Sequence, residues 1–475
     1  MRYNHEYRTS PRSRSVSEHP LITQYREISP SSAALGERAR AVFPGGDTRS
    51  SAHYGPYPLV MAEASGCHMR DIDGNDVLDF MNNFTSLIHG HAQPDIVAAV
   101  QNQVAKGSAY AAPSADQIEL AELIVDRVPS IEQLRFTSSG TEGTLMAIRC
   151  ARAATGRQKV MKMEGGYHGS YELAEVSLVP FPGRRGELEA PTATAVDKSF
   201  PDSVLGDTVV CPYNEPALAN ALIDAHASEL AAVIVEPVLG SMGMIPATKE
   251  FLATLREATR RHGIVLIFDE VITLRLSEGG AQKNYGVMPD LTCMGKIIGG
   301  GLPVGGVGGT KSLMQLFSPD QKNPVMHAST FSGNALTMAA GRAAMTAYTA
   351  EEAERVNGLG VRLREGFNQA FAQAGLNAQA LGSGSLTNLH FSAADIHDSR
   401  DAFTGMAAAG QLTNLLHLTM IRHGVMSATR LMYCTSTAMT DEDVATAVTA
   451  LHESLAELRP YIEADYPELL GGVPE

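Results

Sequence analysis

From about residue 95 the chain alternates between short runs rich in Val, Ile and Leu and longer amphipathic stretches. Gln133–Thr137, Lys159–Met163, Asp207–Cys211, Ala231–Val235 and Ile264–Phe268 are too short for helices and are read as strands. Glu142–Thr155 and Lys249–His262, lying between them, are read as helices. Strand and helix in alternation predict a parallel sheet covered on both faces, an α/β fold. Upstream, the pattern predicts a short helix over Ala33–Phe43, a turn at Pro44–Asp47, an extended stretch over Tyr54–Met61 and a hairpin turn at Asp71–Asn75. Beyond Ser332 an Ala-rich helical run extends from Ala335 to about Ala372, followed by polar, Gly-containing strands around Gly382–Phe391 and Gly424–Ser436. The chain therefore divides into a mobile arm (1–30), an N-terminal segment packing with the small domain (31–94), a large domain with a mostly parallel sheet (95–334) and a smaller C-terminal α+β domain (335–475). No internal repeat on the order of 20–50 residues occurs, and no linker isolates an independent module.

Composition narrows the function classes. The 475 residues carry 37 Lys plus Arg against 52 Asp plus Glu, a net charge of −15, which disfavours nucleic acid and anionic membranes as partners. Hydrophobic residues at 44% and charged residues at 19% are globular values that exclude wholesale disorder. Cys67, Cys150, Cys211, Cys293 and Cys434 are far apart and form no CxxC pair. They fit neither a disulfide framework nor a zinc site, and a reducing, cytoplasmic location with no metal is expected. No run approaches the ~18 apolar residues of a membrane span. In the first thirty residues Glu6, Glu18 and Glu27 interrupt Arg2, Arg8, Arg12 and Arg14, so the stretch reads as an arm, with a targeting peptide as the alternative.

Candidate chemistry concentrates in LTCMGKIIGGGLPVGGVGGT (291–310), where Lys296 is the only charged side chain and eight glycines lie between Gly295 and Gly309. A poorly solvated ammonium loses proton affinity and becomes a nucleophilic amine. The alternative is a lysine reaching out of a mobile loop. The apolar run Ile264–Phe268 ends in Asp269 and Glu270, and ligands of open α/β sheets bind at such carboxyl ends. Solvated strand-end acids are the alternative there. A lysine with a buried acid suggests pyridoxal 5'-phosphate, whose Schiff base needs the first and whose ring nitrogen needs the second. The turn TSSGTE (137–142), between a strand and a helix, offers backbone N–H groups and hydroxyls to a phosphate. Tyr167 in YHG (167–169) offers a face for stacking, or else a core tyrosine.

The order of these segments resembles the class III pyridoxal-phosphate aminotransferases, from about Val42 to Thr437 and most densely in SSGTE (138–142), FDEVIT (268–273) and GGAQKNYGVMPDLTCMGKIIGGGLPVGG (279–306). The resemblance implies fold type I of the pyridoxal-phosphate transferases, with the cofactor on the large domain. It implies that Lys296 holds the cofactor and moves the substrate proton, and that Asp269 contacts the pyridine nitrogen. Ser139, Gly140 and Thr141 would bind the phosphate, with Tyr167 and Val271 on opposite faces of the ring. Thr330, in Ser329-Thr330-Phe331 where the family has a GTF-like motif, would reach the phosphate of a second subunit, which implies a homodimer with shared sites.

Within the class, the blocks are similar to glutamate-1-semialdehyde aminomutases and to β-amino-acid aminotransferases of the β-phenylalanine type. Gly45–Ser50 resembles the segment of the latter whose arginine binds substrate carboxylate, which falls on Arg49. Val425–Arg430 resembles their second arginine-bearing loop, which falls on Arg430. The aminomutases have a glutamate in that loop, and no acid occurs between Gly424 and Thr440. The expected activity is amino transfer from an aryl or alkyl β-amino acid to an α-keto acid such as 2-oxoglutarate or pyruvate. The aminomutase or another ω-amino-acid aminotransferase is the alternative, and a surface ion pair is the alternative role for either arginine.

Overall fold

A computed structural model describes residues 19–471. Its centre is a seven-stranded sheet built from β1 (Gln133–Thr137), β2 (Lys159–Met163), β3 (Thr208–Cys211), β4 (Leu230–Val235), β5 (Val265–Asp269), β6 (Leu291–Gly295) and β7 (Gly305–Gly309). Spatial order is β1-β7-β6-β5-β4-β2-β3. β5 runs parallel to β4 and β6, and β2 runs parallel to β3 and β4. β7 alone is antiparallel, to both β1 and β6. The other six strands thus point their carboxyl ends to one edge. Both faces are covered: β4 and β6 are buried at every position, the signature of a sheet between helical layers.

β7 has the sequence GGVGG, which reads as loop by composition, and its pairing is explained by what lies against it. α1 (Gly140–Thr155) crosses the sheet here so closely that a Cβ on Gly143 would stand 2.8 Å from the Gly306 carbonyl oxygen. A Cβ on Gly305 would collide with the Ser139 carbonyl. Glycine is the only residue that lets the first turn of α1 rest on the strand.

The chain before the sheet belongs to the same solid body as the chain after it. Residues 1–18 of the expected arm lie outside the described residues, but Pro20–Ile28 is a helix with Leu21, Ile22 and Tyr25 buried, so the expected mobility does not extend over it. Apolar burial of these side chains outweighs the polar composition of the surrounding sequence. They share one apolar cluster with Val77 and Phe80, with Leu363 and Phe367 of α3 (Ala350–Gln373), and with Leu451 and Leu455 of α4 (Asp441–Asp465). Met61–Ser65, His68–Asp71 and Asp76–Asp79 form a meander joined by Val425–Met426 from the C-terminal region. Gln379–Ser383, Leu386–His390 and Met432–Cys434 form a second, antiparallel sheet.

The long helical run expected from Ala335 is two helices, α2 (Ala335–Ala347) and α3, because Thr349 caps α3 by accepting from the Glu352 N–H. Among the described residues no helix is long and apolar enough to cross a membrane.

Gly305→Ala is expected to cost about 2–3 kcal/mol, because backbone meets backbone at that point and neither side can retreat as a side chain would. Urea unfolding of the cofactor-free protein measures it, and a change within about 0.5 kcal/mol would contradict the contact.

Candidate active site

The carboxyl edge of the sheet gathers the reactive groups because each follows directly from a strand end. Asp269 closes β5, Lys296 follows β6, Glu236 follows β4, Ser138 and Ser139 follow β1, and the turn Gly165–His168 follows β2. Strand-end loops are the one part of a covered parallel sheet where polar side chains can meet.

Asp269 is 5% exposed and fully engaged: Oδ2 lies 2.9 Å from His168 Nδ1, and Oδ1 accepts from the Val271 N–H at 3.1 Å. His168 is buried, which pulls its pKa down, while the hydrogen bond and charge of Asp269 act against that. Its Nε2 is buried without a partner. The neighbouring acid, Glu270, is spent on structure. Its two oxygens accept from the Ala281 and Gln282 N–H groups, the Gln282 side chain and the Thr273 hydroxyl. Of the two strand-end acids only Asp269 faces the reactive groups.

Lys296 is partly buried, sits at φ 50° after β6, and has no hydrogen bond or ion pair among the described residues. Burial pushes its pKa down to about 8, with Asp269 and Glu236 pulling it up and Arg430 pushing it down. Glu236 is 4% exposed; burial and the charge of Asp269 both raise its pKa.

Val271 packs between the two glycines that flank the site in sequence. A Cβ on Gly140 would meet its methyls at 3.0 Å, and one on Gly295 would meet them at 3.3 Å. Tyr167 is 39% exposed and bonds Ser170 at 2.9 Å. Ser139 caps α1 by accepting from the Glu142 N–H, and Glu142 in turn accepts from the Ser138 N–H. The next N–H groups, those of Gly140 and Thr141, are the free positive end of a 16-residue helix. Thr330 is exposed, while its neighbour Ser329 lies 3.3 Å from Ser138.

Arg49 and Arg430, 381 positions apart, converge on one ring: their guanidinium carbons lie 6.0 and 5.8 Å from the centroid of Phe84. Arg49 also donates to Asn83 Oδ1 at 2.9 Å. Among the described residues Arg430 makes one hydrogen bond, to the Met432 sulfur at 3.5 Å, and its Nε is buried without a partner. The ring is held by a left-handed turn in which Asn82, Asn83, Phe84 and Thr85 have φ of 47°, 45°, 55° and 72°. Such backbone costs about 1–2 kcal/mol per residue. Asp79 offsets it by accepting from the Met81 and Asn82 N–H groups, as do the Asn82 side chain on the Cys434 carbonyl and buried Arg275 on that of Thr85.

Sequence reasoning missed the partnership of His168 with Asp269, and it missed Glu236, although the latter follows its strand as Asp269 ends its own. Asn83 and Phe84 carried no signal. Away from the edge, Cys67, His68 and Asp443 bring ligand atoms within 4.8 Å of one another. Asp443 already caps α4 through Thr440, and burial pushes the Cys67 thiol up to about 11, away from the thiolate a soft metal needs.

The residues present suit pyridoxal 5'-phosphate: an unpartnered amine, a buried acid backed by an imidazole, glycines that leave room against Val271, and free N–H groups at a helix start. The chain matches the family described as aminotransferase class-III over residues 50–454. It is 40% identical over 436 residues to a glutamate-1-semialdehyde 2,1-aminomutase of Desulfotalea psychrophila, covering 90% of this chain and 98% of that protein. It is 37% identical over 429 residues to a beta-phenylalanine transaminase of Variovorax paradoxus, covering 90% and 93%. The crystal structure of an omega-transaminase from Sphaerobacter thermophilus superposes with a TM-score of 0.87 at 45% identity, over 92% of this chain and 99% of that one. Lys296, Asp269 and the turn at Ser139–Thr141 occur on a fold type I scaffold within a match that spans most of the chain, which therefore belongs to the class III aminotransferases, enzymes dependent on pyridoxal 5'-phosphate.

Proposed function

We propose that the protein transfers the amino group of an aryl or alkyl β-amino acid to an α-keto acid such as 2-oxoglutarate or pyruvate. The observation that carries the substrate class is the convergence of Arg49 and Arg430 on Phe84. Among the described residues neither guanidinium makes an ion pair, and Arg430 has a buried Nε without a partner, which supports an anion from outside the chain. Phe84, Met81 and Ile272 pack on the apolar cluster that includes Met244 and Met432, which suits an apolar substrate side chain beside the cations.

When bound, the cofactor supplies a ring that takes up the electron pair left by the breaking C–H bond. Lys296 holds the cofactor and, as neutral amine, receives the substrate proton on Nζ. Asp269, oriented by His168, keeps the proton on the ring nitrogen. Gly140 and Thr141 N–H groups with the Ser139 hydroxyl hold the phosphate, and Tyr167 and Val271 bound the ring faces. Thr330 completes the phosphate site of a second copy in a homodimer, a role supported by its exposure beside Phe331, 61% exposed, and Met326, 66% exposed. Five buried free cysteines support a reducing, cytoplasmic location.

The competing reading is isomerisation of glutamate 1-semialdehyde, the activity in the name of the 40% identical relative. Turnover of that compound by wild type with no added acceptor would establish it and remove the β-aminotransferase reading.

In cofactor-free protein, acylation of Lys296 read by peptide mass spectrometry is expected to reach half its maximal rate near pH 8, since a lowered pKa frees the amine well below the ordinary 10.5. Lys296→Ala should abolish nearly all turnover, and Asp269→Asn most of it while retaining some cofactor. A midpoint near 10, or an active Lys296→Ala, contradicts the role.

Arg49→Ala should raise KM for β-amino acids on the order of tenfold to a hundredfold, the worth of one charge-assisted pair, with little change for simple amines. Kinetics of both half-reactions decide it, and equal effects on acids and amines remove Arg49 from carboxylate binding.

For Thr330, sedimentation of the loaded enzyme should give a dimer, and Thr330→Ala should weaken cofactor binding. A fully active, cofactor-loaded monomer overturns the shared site.

A further inference from the structure

The peptide unit between Gly166 and Tyr167 is gripped at both ends by buried side chains, a donor at its carbonyl and an acceptor at its N–H. Lys162, on β2 and inaccessible to solvent, donates from Nζ to the Gly166 carbonyl at 2.8 Å and to the carbonyl of Val176. Glu236, beyond the end of β4, accepts the Tyr167 N–H on Oε1 at 3.0 Å and the Gly240 N–H on Oε2 at 3.1 Å. We propose that Lys162 and Glu236 form a hydrogen-bond clamp on this one peptide and are positioning residues for the Tyr167 ring and for His168.

The need for a clamp follows from the two residues before it. Gly165 has φ 82°, and a Cβ there would meet Ser399 within 2.5 Å and Met242 at 2.8 Å. A Cβ on Gly166 would stand 3.1 Å from both His168 Nε2 and the Met163 carbonyl. Close packing thus demands two glycines, and two glycines leave the following peptide plane free to turn over. A turned peptide would direct its oxygen at a Glu236 side chain already accepting the Gly240 N–H, and its N–H at a Lys162 Nζ already donating to the Val176 carbonyl, so both hydrogen bonds would be lost. The peptide therefore has one favoured sense, and that sense carries Tyr167 and His168 with it.

The surroundings leave the two groups to each other. Among acids near Lys162, the charge of Glu236 acts most strongly, ahead of Glu164 and Glu175. Glu164 is already matched by Arg400, at 2.6 and 3.1 Å. Glu236 also feels Asp269 and Lys296, and its charge reaches Arg430. Burial lowers Lys162 to about 7, and the charge of Glu236 opposes it.

The inference rests on the reading that Tyr167 covers the cofactor ring, and the experiment separates the two. Cofactor-free wild type, Lys162→Met, Glu236→Gln, the double variant and Tyr167→Ala are titrated with pyridoxal phosphate. The readouts are the dissociation constant, the visible circular dichroism of the bound form, and protection of Tyr167 from nitration by tetranitromethane. Each single clamp variant should raise the dissociation constant on the order of tenfold, weaken the dichroism and reduce the protection. The double variant should be no worse than the weaker single, since both act on one peptide. Multiplying effects in the double, or wild-type affinity and protection in both singles beside a weakened Tyr167→Ala, overturn the clamp. Wild-type affinity in Tyr167→Ala instead defeats the ring-face reading. If Lys162→Met is not folded by far-ultraviolet dichroism, Lys162→Gln, which keeps a donor, replaces it in the cycle.

Discussion

Charge buried at the edge of a covered sheet has to be matched, and the arrangement of the site follows from that requirement. Lys162, Glu236, Asp269, His168, Lys296 and Arg430 come together where water is largely excluded, and an unmatched ion there costs several kcal/mol. Most are matched within the chain: Asp269 by His168 and a backbone N–H, Glu236 by two backbone N–H groups, and Lys162 by two carbonyls. Lys296 and Arg430 are the exceptions, making no ion pair among the described residues. A buried polar group left short of partners is where an outside ligand would restore the balance.

Backbone economy supports this. The first turn of α1, which offers its N–H groups to an anion, is held in position by direct contact with a strand that has almost no side chains. Glu270, a second carboxylate that would otherwise compete beside Asp269, is withdrawn by four hydrogen bonds into the loop that ends at Gln282. One acid is left facing Lys296 and His168 because the other is occupied.

What the sequence made legible was whatever depends on neighbours along the chain. The strand ending in Asp269, the cap at Ser139 and the isolation of Lys296 are all local patterns, and β1 to β5 are legible as short apolar runs, whereas β6, inside the glycine-rich segment noted for Lys296, is not read as a strand. The family resemblance added the two arginines. What stayed hidden depends on contacts across the fold. Lys162 sits in KVMKM, where alternation would send a lysine to solvent, but helices cover that face too, so it is buried. The GGVGG strand lacks β-forming residues because α1 leaves no room for them. Helix Pro20–Ile28 looked like part of an arm because its three core contacts lie on chain far from it. Phe84 gains its meaning only from Arg49 and Arg430, which approach from opposite ends of the sequence.

The left-handed turn beneath Phe84 has an evolutionary side. Four successive residues bearing side chains sit where glycine would be at ease, so glycine substitutions would relax the backbone, yet each would also delete a contact: the Asn82 bond to Cys434, the Asn83 bond to Arg49, or the ring itself. The backbone's own preference and the contacts with Arg49 and Cys434 pull these positions in opposite directions. A lineage that took glycine here would gain relief from strain at once, and could restore the contacts only by accepting the strain again.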